Sequence, residues 1–145
     1  MPKALLVYAT RTGETQKIAD LIAEGLRFSL VDAQVVNANK IKNAEELEGY
    51  DALIFGSATY HGEMLQSMKT LLFLAEKADL EGKVGGTFGA FGWSGEAPER
   101  IFDTMKNIYK MQMVAGPLRL KSSTLEGGMK AAQEFGKEIA SKLNA

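Results

Sequence analysis

Five short apolar runs recur along the chain: Ala4 to Tyr8, Gln34 to Asn37, Ala52 to Gly56, Gly85 to Ala90 and Val114 to Leu120. Little polar alternation interrupts them, so both faces of each strand are covered, which is the pattern of a parallel sheet between two helical layers. The segments between the runs carry apolar residues at helical spacing. Ile18, Leu21, Ile22 and Leu26 form one stripe, and Leu65, Met68, Leu72 and Ala75 a second. Ile101, Met105, Ile108 and Tyr109 form a third, and Ala132, Phe135, Ile139 and Leu143 a fourth. The stretch Asn43 to Glu48 is a weaker helix. Parallel strands joined through helices need right-handed crossovers. The expected fold class is therefore α/β, a three-layer doubly wound sandwich.

A length of 145 residues with 46% hydrophobic content suits one domain over residues 1–145 with its own core. The net charge of -1 supplies no basic field for nucleic acid or an anionic membrane. Without cysteine the chain has no disulfide, thiolate metal site or iron–sulfur cluster, and any redox chemistry must be borrowed from a cofactor. No metal ligands and no catalytic side chain are assigned. The N-terminus enters a strand directly and no apolar run reaches the roughly 18 residues of a membrane span, so a cytoplasmic protein is expected. Thr124 suits the N-cap of the last helix, Lys137 and Lys142 its C-terminal end, and Pro98 the first turn of the helix after Gly95.

The loops after the first, third and fourth strands carry the chemistry, because ligands of open α/β sheets lie outside the carboxyl ends of the strands. In the first, Thr10, Thr12 and Thr15 surround Gly13 just before a helix. Hydroxyls and helix N-terminal N–H groups together hold a phosphate without a cationic clamp. The second, Ser57 to Glu63, and the third, Phe91 to Glu96, each place a large aromatic, Tyr60 and Trp93, beside glycine. A phosphate site flanked by two aromatics points to a planar ring with a phosphorylated tail. His61, the only histidine, is assigned a minor electrostatic role, titrating near neutrality. Glu14, Glu63 and Glu96 are read as exposed loop charges. Met68, Met105 and Met129 are read as core filler, and Met64 as close enough to the ring loop to touch cofactor or partner.

The motif Thr10-x-Thr12-Gly13-x-Thr15 resembles the phosphate loop of the flavodoxins, and the resemblance extends over the whole chain. The segment Gly86 to Glu96 is more similar still to the flavodoxin-like domain that ends flavodiiron proteins. The resemblance implies a five-stranded parallel sheet of order 2-1-3-4-5 and FMN as cofactor. It places Thr10, Arg11, Thr12, Gly13, Glu14 and Thr15 around the phosphate. Ser57, Ala58, Thr59, Tyr60, His61 and Gly62, with Gly92, Trp93, Ser94, Gly95 and Glu96, would hold the isoalloxazine, and the Tyr60 to Gly62 backbone would present a carbonyl to flavin N5. The implied function is electron transfer between redox enzymes by a monomer, with reductase and acceptor docking transiently at the flavin edge. The alternative is a flavodoxin-like FMN enzyme, a quinone reductase or protoporphyrinogen dehydrogenase. Such enzymes usually carry insertions absent from this sequence.

Overall fold

The computed structural model of the chain describes residues 1–60, 62–90, 96–121 and 127–144. Strand β1 (Lys3–Ala9) leads into helix α1 (Glu14–Phe28), then β2 (Asp32–Asn37), β3 (Ala52–Ser57) and a hairpin of β4 (Thr59–Tyr60) with β5 (Glu63–Met64). Helix α2 (Gln66–Ala75), β6 (Val84–Ala90), α3 (Glu96–Asn107), β7 (Gln112–Met113), β8 (Leu118–Leu120) and α4 (Gly128–Leu143) complete the order. The main sheet runs β2-β1-β3-β6, all parallel, and β7 and β8 both pair with the outer side of β6.

The expected order 2-1-3-4-5 is thus present, with one correction to its last member. The run Val114 to Leu120 is not one strand; the fifth position is filled by β7 opposite Val84 and Gly85 and by β8 opposite Phe88 to Ala90. Between them Ala115 adopts φ 61° and Pro117 has no N–H to offer the ladder. An edge strand tolerates this break because only one neighbour loses a hydrogen bond.

Successive strand residues point to opposite faces and so feed two cores. Leu6, Tyr8 and Ile54 pack with Ile18, Ile22 and Leu26 of α1 and Phe135 and Ile139 of α4. Leu5, Val7, Leu53 and Phe55 pack with Met68 and Leu71 of α2 and Ile101 and Met105 of α3. Helical phase corrects parts of the expected stripes: Leu71, not Leu72, is the fully buried leucine of α2. Ile108 lies one residue past α3 and is 59% exposed, and Met129 in the first turn of α4 is 57% exposed, so neither is core. The Asn43 to Glu48 stretch forms a 3-10 turn over Ala44–Leu47, where the Glu46 carboxylate accepts the N–H groups of Lys42 and Asn43. Those two bonds hold its carboxyl below the usual carboxylate range. The N-cap of α4 is Gly127 in the left-handed conformation; Thr124 lies outside the described residues. Among the described residues no helix is long and apolar enough to cross a membrane.

Helix α1 ends in a Schellman-type turn, with the Val31 N–H donating to the Leu26 carbonyl and the Leu30 N–H to that of Arg27. The left-handed residue there is Leu30, at φ 65° and 70% exposed, where glycine is the usual occupant. A left-handed non-glycine residue costs about 1–2 kcal/mol, against about 0.5–1 kcal/mol for the extra unfolded-state freedom of glycine. Leu30→Gly is therefore expected to stabilise the chain by about 0.5–1 kcal/mol. Urea unfolding checks it, and a lower midpoint would show that the Leu30 side chain is held by contacts worth more than the strain.

Candidate functional site

The carboxyl ends of β1, β3 and β6 lie side by side: Ala9 is level with Ser57, Gly56 is level with Phe88, and the Ala58 N–H donates to the Ala9 carbonyl. The loops leaving β1 and β3 therefore start on one edge, beside the carboxyl end of β6, which is the topological switch point of this strand order.

The first loop is shaped by its own side chains. Thr10 Oγ1 accepts the Gly13 N–H at 2.9 Å, closing a tight turn, and Gly13 takes φ 91°, from which its carbonyl receives the Lys17 N–H. Without a side-chain cap at Gly13, the N–H groups of the first helical turn have no intrahelical acceptor and face the loop with the positive end of the α1 dipole. Arg11 and Thr12 are exposed at the apex of the turn. Glu14 is not the solvated charge expected: it begins α1, is half-buried and lies 3.9 Å from Lys17.

Thr15 is the informative member. Its side chain is fully buried, and its Oγ1 has no hydrogen-bond partner among the described residues. An orphaned buried hydroxyl costs about 1–3 kcal/mol, so it persists where a ligand completes it. Thr87 Oγ1 is also orphaned, but it lies in the middle of β6, away from this edge. A helix N-terminus, the Thr10 hydroxyl with its proton still to give, and the Thr15 hydroxyl form a donor set that matches a phosphate monoester.

The second loop is braced by hydroxyls rather than by packing. Ser57 Oγ accepts the N–H of Leu65, the N-cap of α2, at 3.0 Å and donates to the Ala58 carbonyl at 2.9 Å. Thr59 Oγ1 accepts the Ala97 N–H at 3.1 Å and so caps α3 from the neighbouring loop. Beyond the hairpin turn, Glu63 pairs with Arg100 of α3 at 2.8 Å and Lys69 of α2 at 3.6 Å. Glu63, read as an exposed loop charge, is thus a brace paired with two cations. Tyr60 is 46% exposed, and its ring is covered by the Arg11 guanidinium from the first loop, 3.8 Å from the ring centroid. Gly62 sits in the hairpin turn at φ 75°, with no atom near the position of a Cβ.

Of the third loop, Gly92, Trp93, Ser94 and Gly95 lie outside the described residues, as does His61 of the second. Glu96 is the first residue of α3 and half-buried, not an exposed loop charge. Met64 is half-buried and packs against the α2 and α3 side of the sheet, lining a shallow groove with Leu72, Phe73 and Tyr109. The Tyr109 hydroxyl donates to the Leu72 carbonyl, and burial raises its pKa well above the usual phenol value. Sequence reasoning missed Arg100, Lys69 and the Arg11 to Tyr60 contact. The opposite charges of Glu63, Lys69 and Arg100 were visible, but nothing local shows that they meet.

Residues 5–122 match the family model described as a flavodoxin domain. A flavodoxin of Clostridium beijerinckii is 33% identical over 136 residues, covering 93% of this chain and 97% of that protein. Among solved structures, a flavodoxin from the domain Archaea superposes with a TM-score of 0.89 at 29% identity over 99% of both chains. The flavodiiron core of a Synechocystis protein gives a TM-score of 0.89 at 28% identity, covering 99% of this chain and 36% of that one.

Proposed function

Because the chain belongs to the flavodoxin family, we propose that the edge at the carboxyl ends of β1, β3 and β6 is its FMN site and the place where electrons enter and leave. It is an FMN-binding electron-transfer protein that works with redox partner proteins. When bound, FMN supplies the one-electron and two-electron steps. Thr10, Thr12 and Thr15, with the N–H groups around Gly13 and Glu14, would hold the phosphate, and the backbone of Arg11 would line the same turn. Ser57, Ala58, Thr59, Tyr60, His61 and Gly62, with Gly92 to Glu96, would hold the ring system. The observation that carries this assignment is the buried hydroxyl of Thr15 at the entrance of α1, which has no partner among the described residues.

The chain's own part is to position and to tune. The Ser57 and Thr59 hydroxyls and the Glu63 ion pairs tie the ring loop to α2 and α3, so the loop is held from both sides. Left-handed Gly62 has the conformational freedom that would let a peptide carbonyl of this loop turn toward the ring system. We propose a single domain acting as a monomer, with partners docking at this edge. The net charge of -1 and the neutralised Glu63 favour docking through mixed-charge and apolar contacts.

The purified chain is expected to bind one FMN, to prefer it over riboflavin and FAD, and to pass electrons from a flavoprotein reductase to an acceptor. Calorimetric titration with the three flavins checks the first part. Vigorous NAD(P)H-to-quinone turnover by the chain alone would instead establish the enzymatic alternative.

A further inference from the structure

The Arg11 guanidinium lies 3.8 Å from the centroid of the Tyr60 ring, well inside the distance at which a cation is held by the face of an aromatic ring. The two residues belong to different loops, one at the apex of the phosphate turn and the other at the end of β4. Among the described residues no ion pair includes Arg11. The phosphate loop already has a donor set in its hydroxyls and N–H groups, and the one arginine beside it is turned onto an aromatic ring. A planar guanidinium stacks on such a ring better than an ammonium does.

We propose that Arg11 is a positioning residue for the ring half of the site: it fixes the Tyr60 ring as a wall for the isoalloxazine and keeps a positive charge beside that wall. The inference rests on the FMN reading above and adds to it a division of labour. The threonines read the phosphate, whereas Arg11 acts on the ring through Tyr60. Two consequences follow from the charge and the stack. Loss of Arg11 weakens every flavin equally, with or without phosphate. It also lowers the potential of the second electron, which leaves negative charge in the site, and this shift shrinks at high salt.

The test is a titration of the full chain with FMN and with riboflavin for wild type, Arg11→Lys, Arg11→Gln, Tyr60→Leu and the double variant Arg11→Gln/Tyr60→Leu. Arg11→Gln is expected to weaken both flavins by the same factor, about two- to fivefold, the size of an exposed cation–π contact. Arg11→Lys should recover part of that factor, and in the Tyr60→Leu background Arg11→Gln should have almost no effect on affinity. An affinity loss threefold greater for the fully reduced flavin than for the one-electron-reduced flavin corresponds to a fall of about 28 mV in the second potential of Arg11→Gln. A loss confined to FMN would overturn the proposal by making Arg11 a phosphate ligand. Additive effects of the two substitutions, or a lysine variant no better than glutamine, would overturn it by removing the coupling to Tyr60. A wild-type chain that binds neither flavin would refute the FMN reading itself, a result distinguishable before any variant is compared.

Discussion

Thr15→Val is expected to make the ligand-free protein more stable and its complex with FMN much weaker. Valine keeps the branched shape of threonine at a fully buried position and removes only the hydroxyl that has no partner among the described residues. Relief of a buried unsatisfied group stabilises by about 1 kcal/mol, and the two residues have similar helix propensities. A hydrogen bond to a charged phosphate oxygen contributes about 1.5–3 kcal/mol, so FMN affinity should fall by roughly ten- to 150-fold. Riboflavin, which presents no phosphate, should bind the variant and the wild type alike. Denaturant unfolding with and without saturating FMN reads both effects, and the order of stability of the two proteins should reverse between the conditions. Thr12→Ala, at an exposed position, should weaken FMN without the gain in ligand-free stability. A Thr15→Val protein that is less stable without ligand and binds FMN normally would show that the hydroxyl serves the fold.

The parts of this molecule legible from its sequence are those in which neighbours in space are neighbours in the chain. The strand, threonine turn and helix from Lys3 to Phe28 form one continuous signal, because the apolar run, Gly13 and the 3.6-residue stripe each act within a few residues. The strand order was legible only through the resemblance to the flavodoxins, because right-handed crossovers by themselves leave more than one order open. The periodicity was less reliable at the ends of elements. Ile108 and Met129 fit the helical spacing but sit past or at the end of their helices, where the core no longer covers them. Glu63, Arg100 and Lys69 reach one another from a hairpin and two helices, and Arg11 finds Tyr60 across two loops. Such pairings depend on where the sheet delivers each loop, and no local pattern encodes that. The double role of Ser57 and Thr59 was hidden for a related reason. Hydroxyls counted toward the ring site serve as caps for α2 and α3; Ser57 Oγ both accepts and donates in that role, whereas Thr59 Oγ1 only accepts and keeps a proton to give.

Gly136→Ala should have the reverse signature, a large loss of stability with little change in flavin affinity. Helices α1 and α4 cover the same face of the sheet, and their contact is set by two glycines facing the opposite backbone. A Cβ at Gly136 would stand 2.3 Å from the Ile22 carbonyl oxygen, and one at Gly25 would stand 2.2 Å from that of Gln133. Neither oxygen can rotate aside, since each belongs to a helix, so the helices must separate and forfeit packing of Ile22, Leu26 and Phe135. Overpacking of this kind costs about 3 kcal/mol, from which the better helix propensity of alanine recovers about 1 kcal/mol, leaving a net loss of about 2 kcal/mol. In thermal unfolding that corresponds to a fall of roughly 4–8 °C for a chain of this size. Gly25→Ala should cost about as much, yet the double variant should lose less than the sum, because one separation of the helices accommodates both methyl groups. The folded fraction of each should bind FMN within about twofold of wild type, because the clashes lie about two helical turns or more from Thr15. Full additivity of the two substitutions would mean that the helices deform locally at each glycine, and an unchanged midpoint would mean that α1 and α4 do not pack this closely in solution.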